Sequence, residues 1–132
     1  MARVLIVEDD SDVRMLISRI LQHTGHTTLA AAHGTAGLLL AHQEQPDLIV
    51  IDLTLRAINV FAAIRHLKAE PRTAHIPVIA ITVAVRPDEE ARARAAGCDG
   101  FMTKPLDIAR FTALVAALTG RSRSFGGSFR PR

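Results

Sequence analysis

Five side chains in this 132-residue chain point to one kind of chemistry. Glu8 and Asp9 stand together near the start, Asp52 lies in the middle, and Thr82 and Lys104 follow. Carboxylates brought close together repel unless a cation neutralises them, and hard oxygen donors in an incomplete cage suit magnesium. A carboxylate can also be a nucleophile that takes up a phosphoryl group as an aspartyl phosphate. The charge on that group needs a cation and a donor nearby, which a lysine and a threonine hydroxyl supply. The set therefore predicts phosphoryl transfer with Asp52 as the acceptor.

These residues make a site only if the fold brings them together. Asp52 ends the stretch Pro46-Asp47-Leu48-Ile49-Val50-Ile51-Asp52, whose four consecutive aliphatic residues predict a short strand buried on both faces, as in parallel sheets. Val4-Leu5-Ile6-Val7 is a second such run and ends in Glu8, Asp9 and Asp10. Ile76 to Thr82 is another, with Pro77 tolerated at the beginning of a strand. Asp99 to Thr103 leads directly into Lys104-Pro105, and the weaker run Thr27 to Ala31 suits a sheet edge. Ligands in open α/β sheets bind beyond the carboxyl ends of the strands, so all five residues fall on that edge.

Helical spacing fills the intervals. Asp10 or Ser11 caps a helix with Val13, Leu16, Ile17, Ile20 and Leu21 on its apolar side, and Gly25 stops it. Thr35 to Gln45 places Ala36, Leu39 and Leu40 on one side, and Phe61, Ile64 and Leu67 mark a third helix. Pro87 suits the first turn of a fourth, with Asp88, Glu89 and Glu90 at its positive end. Asp107 caps a last helix through Ile108, Phe111, Leu114, Val115 and Leu118. All these apolar faces are assigned to the core. Five strands alternating with five helices predict a single doubly wound α/β domain, with a five-stranded parallel sheet in the order 2-1-3-4-5 and right-handed crossovers.

Composition narrows the class. The net charge of +3 looks like that of a nucleic-acid binder, but residues 120–132 carry four arginines and no acid. Removing those four leaves the body near −1, so the basic character belongs to a tail. Residues 1–119 are assigned to the domain and 120–132 to a disordered basic tail, with weak nucleic-acid contact or a linker remnant as alternatives. Cys98 stands alone and matches a small buried hydrophobe in a reducing compartment, and no segment resembles a signal peptide or membrane span. A cytoplasmic location is expected. The six histidines lack the spacing of a zinc site and are taken as surface or helix-end residues.

Four motifs carry a resemblance. Val-Glu-Asp-Asp at 7–10, Leu-Ile-Val-Ile-Asp at 48–52, Ile-Pro-Val-Ile-Ala-Ile-Thr at 76–82 and Ala-Gly-Cys-Asp-Gly-Phe-Met-Thr-Lys-Pro at 96–105 resemble the receiver domain of bacterial response regulators, over residues 3–119. The segment from Ala74 to Pro105 looks especially like that of stand-alone, chemotaxis-regulator-like receivers. The resemblance implies the flavodoxin-like fold and a signalling phosphoacceptor rather than a true enzyme. By it, Asp52 takes a phosphoryl group from a sensor histidine kinase or a histidine phosphotransfer protein. Glu8, Asp9, Asp52 and the backbone carbonyl of Thr54 would hold magnesium or manganese. Thr82 and Phe101 would form a switch pair, Lys104 would contact the phosphoryl group, and Lys104-Pro105 would be cis. The face built from residues 87–119 would meet a downstream protein.

The chain departs from that pattern just after the acceptor. Asp52-Leu-Thr-Leu-Arg56-Ala-Ile-Asn-Val60 has Arg56 where the family usually has proline and Val60 where it has glycine. If position 60 is left-handed, valine there costs steric energy, and the loop is differently shaped or more mobile. That bears on the Thr54 carbonyl as a ligand. Arg56 is read as surface-exposed, with phosphate or partner binding as the alternative. Two rival functions follow: a degenerate receiver that binds proteins without phosphorylation, and a flavodoxin-like or nucleotide-binding enzyme. No glycine-rich phosphate loop follows the first strand to support the second.

Overall fold

The computed structural model describes residues 2–83 and 86–120. The expected tail lies outside the described residues, apart from Gly120. The elements are β1 (Arg3–Val7), α1 (Ser11–His23), β2 (Thr27–Ala31), α2 (Gly34–Glu44), β3 (Leu48–Asp52), α3 (Val60–Ala69), β4 (Val78–Thr82), α4 (Glu89–Ala96), β5 (Gly100–Thr103) and α5 (Ile108–Gly120). All neighbouring strands pair in parallel, in the order β2-β1-β3-β4-β5. The weak strand β2 is indeed at an edge.

The aliphatic runs are continuous because each strand feeds two cores. Leu5, Val7, Ile49, Ile51, Val78 and Ala80 point to one side, where Val60, Ile64, Leu67 and Ala93 of α3 and α4 meet them. Val4, Ile6, Leu48, Val50, Ile79 and Ile81 point to the other side, against Ile17 and Leu21 of α1 and Phe111 and Val115 of α5. With the side-chain period of two, every position of β3 and β4, and every position of β1 after Arg3, is buried on one face or the other, while the edge strands β2 and β5 are partly open.

Two element boundaries and three burials differ from expectation. Pro77 precedes β4 rather than opening it, and its carbonyl accepts from Ile49 N at 3.0 Å. Helix α4 begins at Glu89, two residues after Pro87, with Asp88 as an N-cap that makes no side-chain cap bond. It ends at Gly97, whose φ of +117° and tight fit against Lys68 Cγ, 2.6 Å from where a Cβ would lie, exclude other residues. The assignment of whole helix faces to the core fails for Leu16, Leu39 and Ile108, which are 54%, 57% and 55% exposed. Periodicity marks the face of a helix, not how much of that face the sheet covers.

Position 60 is not left-handed. Val60 is the first residue of α3 and is 4% exposed, while the residue with positive φ in this loop is Ala57, at +67°. Asn59 caps α3 by accepting from Ala62 N at 3.0 Å. The steric cost expected at valine falls three residues earlier, on a smaller side chain.

Candidate functional site

The carboxyl edge of the sheet gathers the residues singled out above. Glu8 directly follows β1, Asp52 and Thr82 are the last residues of β3 and β4, and Lys104 follows β5. Lys104 N donates to Thr82 O at 2.8 Å, which extends the sheet pairing one step and fixes the root of the lysine. The Lys104-Pro105 peptide bond is cis. Glu8 N donates to Ala31 O, and the Arg14 guanidinium donates to Glu8 O at 2.8 Å, so the turn into α1 is held from two sides. Asp10 closes that turn as the N-cap of α1, accepting from Asp12 N at 2.9 Å and Val13 N at 3.2 Å.

The polar core is nearly sealed. Glu8, Asp52 and Thr82 are 0%, 1% and 0% exposed, and Asp9 lies at the surface. Lys104 Nζ bridges the two buried acids, 2.8 Å from Glu8 Oε1 and 3.3 Å from Asp52 Oδ2. Glu8 Oε2 accepts from Asp10 N at 3.1 Å. Asp52 Oδ1 accepts from Thr54 N at 3.0 Å and from the Thr54 hydroxyl at 2.9 Å. Burial pushes the Glu8 carboxyl above the ordinary carboxylate range and Asp52 adds to this, while the Lys104 and Asp10 hydrogen bonds pull it back. Burial works against the Lys104 ammonium, but the bonds and charges of Glu8 and Asp52 outweigh it and raise the lysine pKa.

Oxygens of Glu8, Asp9 and Asp52 all lie within 4.8 Å of one another. This is the group of metal-capable side chains found among the described residues, and none of the histidines belongs to it. An all-oxygen donor set with one exposed member fits magnesium or manganese and does not favour zinc. Thr82 Oγ1 is buried with no hydrogen-bond partner, aimed at no group of the described residues that could satisfy it. Phe101, paired with Ala80 across β4 and β5, is half-buried against the α3–α4 side of the core.

One contributor and one role were absent from the sequence analysis. Arg14 sits on α1 four residues after the cap, and nothing in one sequence marks it as the donor to Glu8 O. Thr54, expected to contribute its carbonyl to a metal, holds Asp52 through its amide and hydroxyl.

Buried carboxylates and a bridging lysine at the carboxyl edge of a parallel β2-β1-β3-β4-β5 sheet form the arrangement expected of a receiver domain. The model of the response regulator receiver domain matches residues 4–116, and the chain belongs to that family. It is 36% identical over 122 residues to the DNA-binding dual master transcriptional regulator RpaA of Synechocystis, covering 92% of this chain but 51% of RpaA. The chain thus spans about half the length of that relative. It is 32% identical over 117 residues to the polar-differentiation response regulator DivK of Brucella anthropi, covering 89% of this chain and 95% of DivK. The Francisella response regulator 1452 receiver domain superposes with a TM-score of 0.85 at 24% identity, over 93% of this chain and 100% of that one, which speaks for the fold. Within the described residues no helix is long and apolar enough to cross a membrane.

Proposed function

We propose that the chain is a phosphoacceptor switch of a two-component pathway, charged at Asp52 by a phosphohistidine of a sensor histidine kinase or histidine phosphotransfer protein. The observation that carries this reading is the buried Asp52 carboxylate with Lys104 Nζ at 3.3 Å and two further acids within 4.8 Å. An Asp52 oxygen forms the new bond to phosphorus, the P–N bond breaks, and the imidazole leaves with the electron pair. Thr54 N and Oγ1 hold Asp52 Oδ1, which leaves Oδ2 beside Lys104 as the attacking atom. Lys104 neutralises a phosphoryl oxygen once its contact with Asp52 Oδ2 is given up.

Glu8, Asp9, Asp52 and the Thr54 carbonyl would hold magnesium or manganese, which when bound supplies positive charge for the phosphoryl oxygens. The unsatisfied Thr82 hydroxyl acquires an acceptor in the phosphoryl group, and its movement frees space for Phe101 to turn inward. The 87–119 face thereby changes its affinity for a downstream protein in the cytoplasm.

Incubation with magnesium and acetyl phosphate, followed by intact mass, tests the reading. One added phosphoryl group is expected in the wild type and none in Asp52→Ala. A wild type that takes none is instead a binding module independent of phosphorylation, a reading favoured by the departures at Arg56 and Val60. An undiminished adduct in Asp52→Ala removes Asp52 as the acceptor.

A further inference from the structure

We propose that Arg56 receives the leaving group of a small acyl phosphate, making this chain selective, among small-molecule phosphodonors, for those that depart as carboxylates. The inference rests on Asp52 being the phosphoacceptor, and it concerns a side chain that the acceptor chemistry does not otherwise use.

A cavity of about 520 Å³ opens on the Asp9 side of the site, with Asp9 and Asp10 on one wall, His33 and Thr35 on another, and Arg56 on a third. A second cavity, of about 370 Å³, lies on the Lys104 side and is walled by apolar groups such as Leu16, Val83, Leu106 and Ile108. A donor molecule reaching Asp52 can place its departing portion toward either. An anion finds no cation in the second cavity beyond Lys104, which Glu8 and Asp52 already hold. The first also carries two carboxylates, but Asp10 is engaged in capping α1 and Asp9 belongs to the proposed metal group, so what an anion meets there is the Arg56 guanidinium, whose side chain has no hydrogen-bond or ion-pair partner among the described residues.

Arg56 is also held in place. Its neighbour Leu55 is 6% exposed, and Ile58 packs so closely on α2 that a Cβ at Gly34 would lie 2.7 Å from Ile58 Cγ1 and 3.3 Å from Cγ2. Between these anchors Ala57 adopts φ +67°, a conformation that costs a non-glycine residue energy and persists only where the surroundings enforce it. The loop thus presents Arg56 at the cavity wall, with buried Leu55 before it and half-buried Ile58 two residues after it. Arginine's planar fork matches a carboxylate, and charge-assisted bonds of that kind exceed neutral ones.

With an acyl phosphate, an Asp52 oxygen bonds to phosphorus, the bond between phosphorus and the acyl oxygen breaks, and that oxygen leaves with the electron pair as a carboxylate. No proton moves. With phosphoramidate the P–N bond breaks and ammonia leaves uncharged, so Arg56 has nothing to stabilise.

The test compares phosphorylation rates of the full chain with acetyl phosphate and with phosphoramidate in magnesium, read by intact mass over time. Arg56→Ala should slow the acetyl phosphate reaction about tenfold and leave phosphoramidate within about twofold. Arg56→Lys, which keeps the charge but loses the fork, should fall between wild type and Arg56→Ala with acetyl phosphate. Equal losses with both donors, no loss with acetyl phosphate, or a lysine variant no faster than alanine overturns the assignment of Arg56. A wild type charged by neither donor overturns the Asp52 reading itself, and the inference with it.

Discussion

Lys104 is the one cation between two carboxylates that have almost no access to water, and its removal should be costly to the fold itself. Lys104→Met keeps most of the stem and deletes the charge. The variant leaves Glu8 and Asp52, 0% and 1% exposed, without the ammonium that lies 2.8 Å and 3.3 Å from them. Breaking a buried pair from one side costs about 3–5 kcal/mol, because the remaining charge is desolvated and uncompensated. The bonds from Asp10 N to Glu8 and from Thr54 to Asp52 survive, which places the loss near the lower end, about 3 kcal/mol. In a domain of this size that lowers Tm by roughly 10 °C. Urea unfolding with a chelator present measures it, and a double-mutant cycle with Glu8→Gln identifies the cause. Once the lysine is gone, neutralising Glu8 should give back stability, with a coupling of about 2 kcal/mol. A loss below about 1 kcal/mol for Lys104→Met, or a cycle additive within about 0.5 kcal/mol, refutes the argument.

Two other outcomes follow from buried polar groups. Thr82→Val replaces an unpartnered buried hydroxyl by a methyl of the same shape, so it should stabilise the unphosphorylated protein by about 1 kcal/mol in urea unfolding, and a clear loss would mean that the hydroxyl has a partner. Burial, reinforced by the Asp99 charge and offset by Lys68 and Arg94, pushes the Cys98 thiol up to about 11 from the ordinary 9.0. The unfolded chain therefore releases this proton first, and the contribution is intact below pH 9 and lost as pH rises through about 11. Cys98→Ala should remove about 2 kcal/mol of the alkaline loss of stability, and an unchanged profile between those pH values would show that the thiol titrates normally.

The sheet was legible in the sequence because strands covered on both faces leave no polar positions, so β1, β3 and β4 stand out as unbroken aliphatic runs ending in chemically active residues. The strand ends in turn place Glu8, Asp52, Thr82 and Lys104 along one edge without any knowledge of side-chain contacts. What stayed hidden depends on contacts between distant segments. Leu16 and Ile108 share a cavity wall that no helical period can announce. The left-handed residue of the loop after Asp52 is Ala57 rather than Val60, and it stands next to Ile58, which docks on Gly34 of α2 in a contact that local sequence does not encode. Helix α4, built from alanines and charges, offers little periodicity, and proline chemistry alone placed its start two residues too early.

The site gathers departures from the rules that most of the molecule obeys. Elsewhere a buried polar side chain such as Thr73 is satisfied internally, donating to Leu67 O at 2.6 Å, and outside the site Glu89 Oε1 on α4 is the other buried side-chain atom without a partner among the described residues. At the carboxyl edge a buried hydroxyl at Thr82 has no partner, a buried carboxyl at Glu8 is held above its ordinary pKa, and one lysine is divided between two acids. Such local inconsistencies are expected where a fold is shaped for a group it does not itself contain. A phosphoryl group on Asp52, as proposed above, would supply what is missing: it would give Thr82 an acceptor and Lys104 a further anion. On that reading the unphosphorylated state is the less satisfied of the two, and the free energy separating them rests on the same side chains proposed to carry the transfer.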